Sequence, residues 1–189
     1  LGVGVTAKDL ALALLAHFGA GGGAGHVVEY AGSAVQALSV EERLTLCNMA
    51  TEFAAFTAII APDPKVVDYL KGRPFAPKGA EWDLAAAHWA ELFSDDDAKF
   101  DTEYQFDASL VAPRVTWGTN PQQNMPLDAN VPSAEQAPEQ GAPEAQARAL
   151  EYMGLAAGQP LKGLPIQAAF IGSCTNSRLS DLRRAANIL

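Results

Sequence analysis

The spacing of apolar residues changes several times along the chain, and each change predicts an element. From Thr6 to Phe18 an Ala/Leu-rich run follows a capping-box pair, Thr6 with Asp9, which predicts a helix. It ends in Gly19-Ala20-Gly21-Gly22-Gly23-Ala24-Gly25, where helix is costly. His26 to Tyr30 has the β-branched content of a short strand. A second capping box, Ser39 with Glu42, opens a long helix expected to run to about Ile60, where Pro62 and Pro64 stop it. Lys65–Lys71 fits one or two helical turns, and Gly72–Gly79 is a Gly/Pro-rich loop. Trp82–Phe93 has amphipathic helical spacing, with Ser94-Asp95-Asp96-Asp97 as its solvated exit. Tyr104 with Phe106, and Val115 with Trp117, mark two strands.

From Gly118 to about Ala147 the periodicity fades into Pro, Gln, Ala and Asn. The expected organisation is therefore a domain over residues 1–117, a linker or irregular excursion over 118–147, and the start of a second domain over 148–189. In that last part a helix around Ala147–Met153 precedes the continuous apolar run Ile166–Ile171. The run leads into Gly172-Ser173-Cys174-Thr175-Asn176-Ser177 and a helix from about Leu179. A buried strand, a tight turn and a helix are the opening of a parallel α/β domain.

Composition narrows the function classes. With 189 residues and 49% hydrophobic content the chain can bury a core. Thirteen Lys and Arg against 22 Asp and Glu give a net charge of −9, the wrong sign for gripping a phosphate backbone, so no nucleic-acid partner is expected. No apolar run has the length of a membrane span. Two distant cysteines are no disulfide framework and suggest a reducing, cytoplasmic setting. Leu1 in place of Met, and a final helix cut off mid-pattern, suggest a piece of a longer protein.

Two features carry candidate chemistry. Gly19-x-Gly21-x-x-Ala24 matches a loose dinucleotide pattern, but it follows a helix and leads into a strand, so it reads as a flexible turn. Cys174 is the first candidate. It lies past an apolar strand and before a helix, where terminal amides favour the thiolate that nucleophiles and metal ligands require. The hydroxyls and amide of Ser173, Thr175, Asn176 and Ser177 could donate hydrogen bonds to bound sulfur or to an oxyanion. The alternative is an inert structural thiol. Glu52 is the second, alone in the otherwise uncharged stretch from Leu44 to Pro62 and four residues from Asn48 on the expected helix. It is either a solvated carboxylate or a proton donor and acceptor in an apolar setting. Cys47 reads as core, and His17, His26 and His88 have no metal-ligand spacing.

The run Ala169-Phe170-Ile171-Gly172-Ser173-Cys174-Thr175-Asn176-Ser177-Arg178 resembles the cluster-binding motif of the aconitase family. Leu46-Cys47-Asn48-Met49-Ala50-Thr51-Glu52 resembles a second signature of that family. Further blocks agree in order: Val5–Asp9, Gly25–Gly32, Ala61–Asp63, Tyr69–Pro74, Ala76–Gly79, Val115–Pro121 and Tyr152–Leu155. Within the family the likeness is to large subunits that work with a separate small subunit in leucine biosynthesis. It implies an aconitase-like three-layer α/β/α fold, of which this chain holds most of one domain and the start of the next. The implied activity is a hydro-lyase that interconverts 2-isopropylmalate and 3-isopropylmalate, hydroxy-dicarboxylic acids, by dehydration and rehydration at a 4Fe–4S cluster.

In that resemblance Cys174 is one of three thiolate ligands, Glu52 is the active-site glutamate that hydrogen-bonds the iron-bound water, and Asn48 tunes the cluster. Ser173 and Asn176 are the accompanying cofactor-binding residues. The other two family cysteines form a Cys-x-x-Cys pair beyond the Gly-Ser-Cys turn and are absent here, so the chain alone is expected to be inactive. Ala54 stands where glycine is expected, and Gln122 is a second local departure. A homoaconitase or methylmalate-type dehydratase, or a non-catalytic remnant of the fold, are the alternatives.

Overall fold

A computed structural model describes residues 1–133 and 143–189. The first helix, α1 (Ala7–Phe18), begins as the pattern predicts. Thr6 Oγ1 accepts the Asp9 N–H at 3.2 Å, and Asp9 Oδ2 accepts the Thr6 N–H at 2.7 Å, so two orphan donors are satisfied reciprocally. Asp9 is buried, and its Oδ1 accepts the backbone N–H of Arg114 at 2.7 Å. One carboxylate thus starts the helix and ties it to strand β3 (Arg114–Thr116). That strand pairs antiparallel with β4 (Asn124–Pro126). Asn124 is fully buried, its Nδ2 donating to Leu12 O at 2.9 Å and its Oδ1 accepting from Arg114 Nε. α1 packs against this hairpin and against α3 (Val40–Asn48). With two neighbours it buries more than one stripe: Ala7, Leu10, Ala11, Leu12, Ala13 and Leu15.

The glycine segment is a close-packed seat for Phe53, not the flexible turn expected. Gly23 is buried and donates its N–H to Phe53 O at 2.9 Å. A Cβ at Gly22 would come within 2.4 Å of the Phe53 ring, and one at Gly23 within 2.9 Å. This seat brings the chain after α3 back beside β1 (Val27–Glu29). There β2 (Thr57–Ile59) pairs parallel with β1, Val27 opposite Thr57 and Glu29 opposite Ile59.

The long helix expected to reach Ile60 therefore ends at Asn48. Ser39 and Glu42 do form its capping box. Beyond Asn48, however, the β-branched and aromatic residues Phe56 to Ile60 gain a ladder with β1 that a helix would forgo. The reversal costs backbone strain at Ala54, which adopts φ +62. This exposed alanine, where glycine is expected, occupies left-handed space in which a Cβ is disfavoured, so its effect is strain. Ala54→Gly is expected to stabilise the chain by about 1 kcal/mol, a rise in Tm of about 2–4 °C in thermal melts followed by circular dichroism.

Three helices flank this body. The short α2 (Ser33–Ala37) was not anticipated. In α4 (Pro64–Leu70) Pro64 stands at the start and Asp63 Oδ1 accepts from Lys65 N and Val66 N at 3.0 and 3.3 Å. α5 (Ala80–Trp89) stops short of Phe93 and has no buried residue; Trp82 and Trp89 meet edge-on at 5.7 Å. Tyr104 and Phe106 form no strand. They pack instead on Phe18, Tyr104 at 4.4 Å between ring centroids. A 3₁₀ turn, Ala108–Leu110, follows.

Within the stretch expected to be a linker, residues 118–133 hold β4 and the buried Val131; residues 134–142 lie outside the described residues. Gln122 has a definite role. Its Oε1 accepts the Ala20 N–H at 2.8 Å, securing the exit of α1. Helix α6 (Pro143–Met153) contributes Ala149 and Leu150 to a second core with Trp117, Val131 and Leu161. Ile166–Ile171 is not a strand. Ile166 and Phe170 are exposed, at 78% and 90%, because no other described strand lies beside them to complete a ladder. The chain ends in α7 (Leu179–Ala186). The whole is mixed α/β, with two two-stranded sheets among the described residues. No described helix is long and apolar enough to cross a membrane.

Candidate active site

The two segments that carry candidate chemistry meet at the end of α3. Thr175 is buried, and its hydroxyl donates to Asn48 Oδ1 at 3.1 Å, across 127 residues of chain. Cys174 Sγ lies 4.0 Å from that same Thr175 oxygen. On the other side of Asn48, Thr51 Oγ1 lies 3.1 Å from the Asn48 carbonyl and 3.0 Å from Glu52 Oε2, and its single proton can serve either oxygen. Side chains and backbone thus connect Cys174, Thr175, Asn48, Thr51 and Glu52 in one series.

The route is not the one read from spacing. Asn48 closes the helix and Glu52 sits in the turn beyond it, so the two share no helical face. Thr51 joins them instead, because a tight turn brings i and i+3 polar groups together as a helix would. Glu52 is half-buried, with Thr51 as its hydrogen-bond partner.

Cys174 is a free, exposed thiol. It precedes Arg178, the N-cap of α7, so it lies outside that helix terminus. The turn is formed by Gly172 at φ +117, where an added Cβ would meet Ser177 Oγ at 3.1 Å. Ser173 is exposed. Asn176 Nδ2 donates to Thr45 Oγ1 and to Asp181 Oδ1, both at 3.1 Å, which engages both amide protons in holding the turn. Sequence reasoning missed Thr45, Thr51 and Arg178. For Thr51 and Arg178 the only signal is a hydroxyl or cation inside a motif already noticed for another residue; Thr45 lies just before one.

Cys47 is half-buried, and burial pushes its thiol above the usual range. Neighbouring Tyr30 is pushed up to about 12, chiefly by burial and further by Cys47. Among the described residues no three His, Cys, Asp or Glu side chains form a metal-binding group. A 4Fe–4S cluster needs several thiolates, more than the two free cysteines Cys47 and Cys174 of the described residues can supply.

The turn that carries Cys174 thus docks on the segment that carries Asn48 and Glu52. The chain belongs to the aconitase family (aconitate hydratase), matching it over residues 1–189. Among its relatives is the 3-isopropylmalate dehydratase large subunit of Roseiflexus castenholzii (strain DSM 13941 / HLO8). The two are 52% identical over 186 residues, an overlap of 98% of this chain and 39% of that protein.

Proposed function

We propose that the chain is part of a large subunit that, with a small subunit, interconverts 2-isopropylmalate and 3-isopropylmalate in the cytoplasm. The relative's name suggests the substrate, and the Thr175–Asn48 hydrogen bond supports the site, since it joins the two motifs that the family resemblance marks as functional. In this reading residues 1–117 and 148–189 belong to successive domains. Cys174 is one of three thiolate ligands of a 4Fe–4S cluster, with Ser173 beside it; the others come from a Cys-x-x-Cys pair outside these residues. When bound, the cluster supplies an open iron that acts as a Lewis acid toward the substrate's hydroxyl and carboxylate.

The chain's own residues then have separate tasks. Asn48 holds Thr175 and so keeps the thiol turn beside α3. Glu52 gives and takes the proton that accompanies removal and return of water, with Thr51 orienting its carboxylate. Iron content and visible absorption after anaerobic treatment with iron and sulfide test the ligand assignment. The complete large subunit is expected to take up a stoichiometric cluster, and its Cys174→Ser variant and residues 1–189 alone are expected to fail. A full cluster in the Cys174→Ser variant would overturn the reading.

A further inference from the structure

Besides the Thr175–Asn48 contact, the turn that carries Cys174 and helix α7 converge on one buried hydroxyl of the body, that of Thr45. α7 has no buried residue, so apolar packing does little to hold it. Thr45, by contrast, is 1% exposed. Its Oγ1 accepts from Asn176 Nδ2 at 3.1 Å and from Arg178 Nη1 at 3.1 Å. Its own proton points back to Glu41 O at 3.4 Å within α3. One donor and two acceptor sites are the full capacity of a threonine hydroxyl, and all three are used.

Arg178 extends the clasp. The same Nη1 donates to Thr175 O at 2.9 Å, and the Arg178 N–H donates to Asp181 Oδ2 at 3.1 Å. Ser180 adds a hydrogen bond to Glu41, on the outer face of α3. Every contact named here is polar and made through a side chain on at least one side. An eight-residue helix is marginal by itself in water, so α7 draws support from the clasp.

We propose that Thr45 and Arg178 are positioning residues that set where the Cys174 thiol stands relative to Asn48. The docking role rests on the structure; its consequence for iron rests on the function proposed above. Thr45→Val keeps the shape and removes the hydroxyl, leaving two donors without their acceptor. Thr45→Ser keeps the hydroxyl.

Hydrogen exchange of the 189-residue chain, read by mass spectrometry, tests the clasp. In Thr45→Val the amides of α7 are expected to exchange about tenfold faster, with α1 unchanged, and in Thr45→Ser to stay within about twofold of the parent. If Thr45→Val speeds exchange in α1 as well, Arg178→Met replaces it as the test with the same expectation. Unchanged α7 exchange overturns the clasp. In the complete, reconstituted subunit, Thr45→Val is expected to lose iron to a chelator about tenfold faster, and Thr45→Ser to match the parent. Equal iron loss in all three, with α7 released, overturns the positioning role. The Cys174→Ser result is separate: a cluster retained there defeats the functional reading while leaving the exchange result standing.

Discussion

Asp63→Ala is expected to cost about 3–5 kcal/mol of folding stability, the largest effect of any single change considered for this chain. The Arg43 side chain is 5% exposed, and its Nη2 reaches Asp63 Oδ2 at 2.5 Å and Gln36 O at 3.2 Å. Removing the carboxylate leaves a buried cation with a carbonyl for company, and it also removes the N-cap of α4. Arg43→Met should cost less. Asp63, at 27% exposure, then reaches water and keeps its cap, while the apolar replacement fills the space. The order of the two losses, read from urea melts, is the decisive measurement; equal losses would reject this account.

The pH dependence follows from the same contact. The Arg43 hydrogen bond, with the Arg43 charge and the N–H groups of Val66 and Lys65, outweighs burial and holds the Asp63 carboxyl below the usual range. A lowered folded pKa means that its stabilisation is complete above the unfolded value, about 4, and is lost as pH falls through the folded value. The gap between parent and Asp63→Ala should therefore be widest near pH 7 and narrow steadily below about pH 4.

On the function proposed above, Glu52→Gln is expected to lower kcat of the complete two-subunit enzyme by about 10²–10⁴-fold, with KM little changed. Glutamine keeps the size of the side chain and an oxygen for Thr51, so the turn between Asn48 and β2 is preserved. What it removes is the group that can take up and release a proton. Steady-state rates in both directions of the isomerisation, on protein shown to carry a full cluster, separate this loss from one of cofactor. Activity within about twofold of the parent would show that Glu52 is a solvated carboxylate.

Local chemistry in the sequence determined the helix starts. Thr6 with Asp9 and Ser39 with Glu42 close capping boxes because each needs only three residues of chain to complete. Cys174 and Glu52 were likewise legible as residue types out of place, but their meeting through Thr175 and Asn48 was not. Tertiary structure decided the rest. The helix expected to run to Ile60 ended at Asn48 because Phe56 to Ile60 found a partner in β1, a pairing no local window contains. Gly22 and Gly23 are a seat only because Phe53, thirty residues on, has a ring to place there. Ile166–Ile171 has the composition of a buried strand but pairs with no other strand among the described residues, since a ladder belongs to two segments and composition to one. Thr45 looked like a helix residue among others. Its hydroxyl acquires its task only when Asn176 and Arg178, more than 130 residues later, arrive as donors in three dimensions.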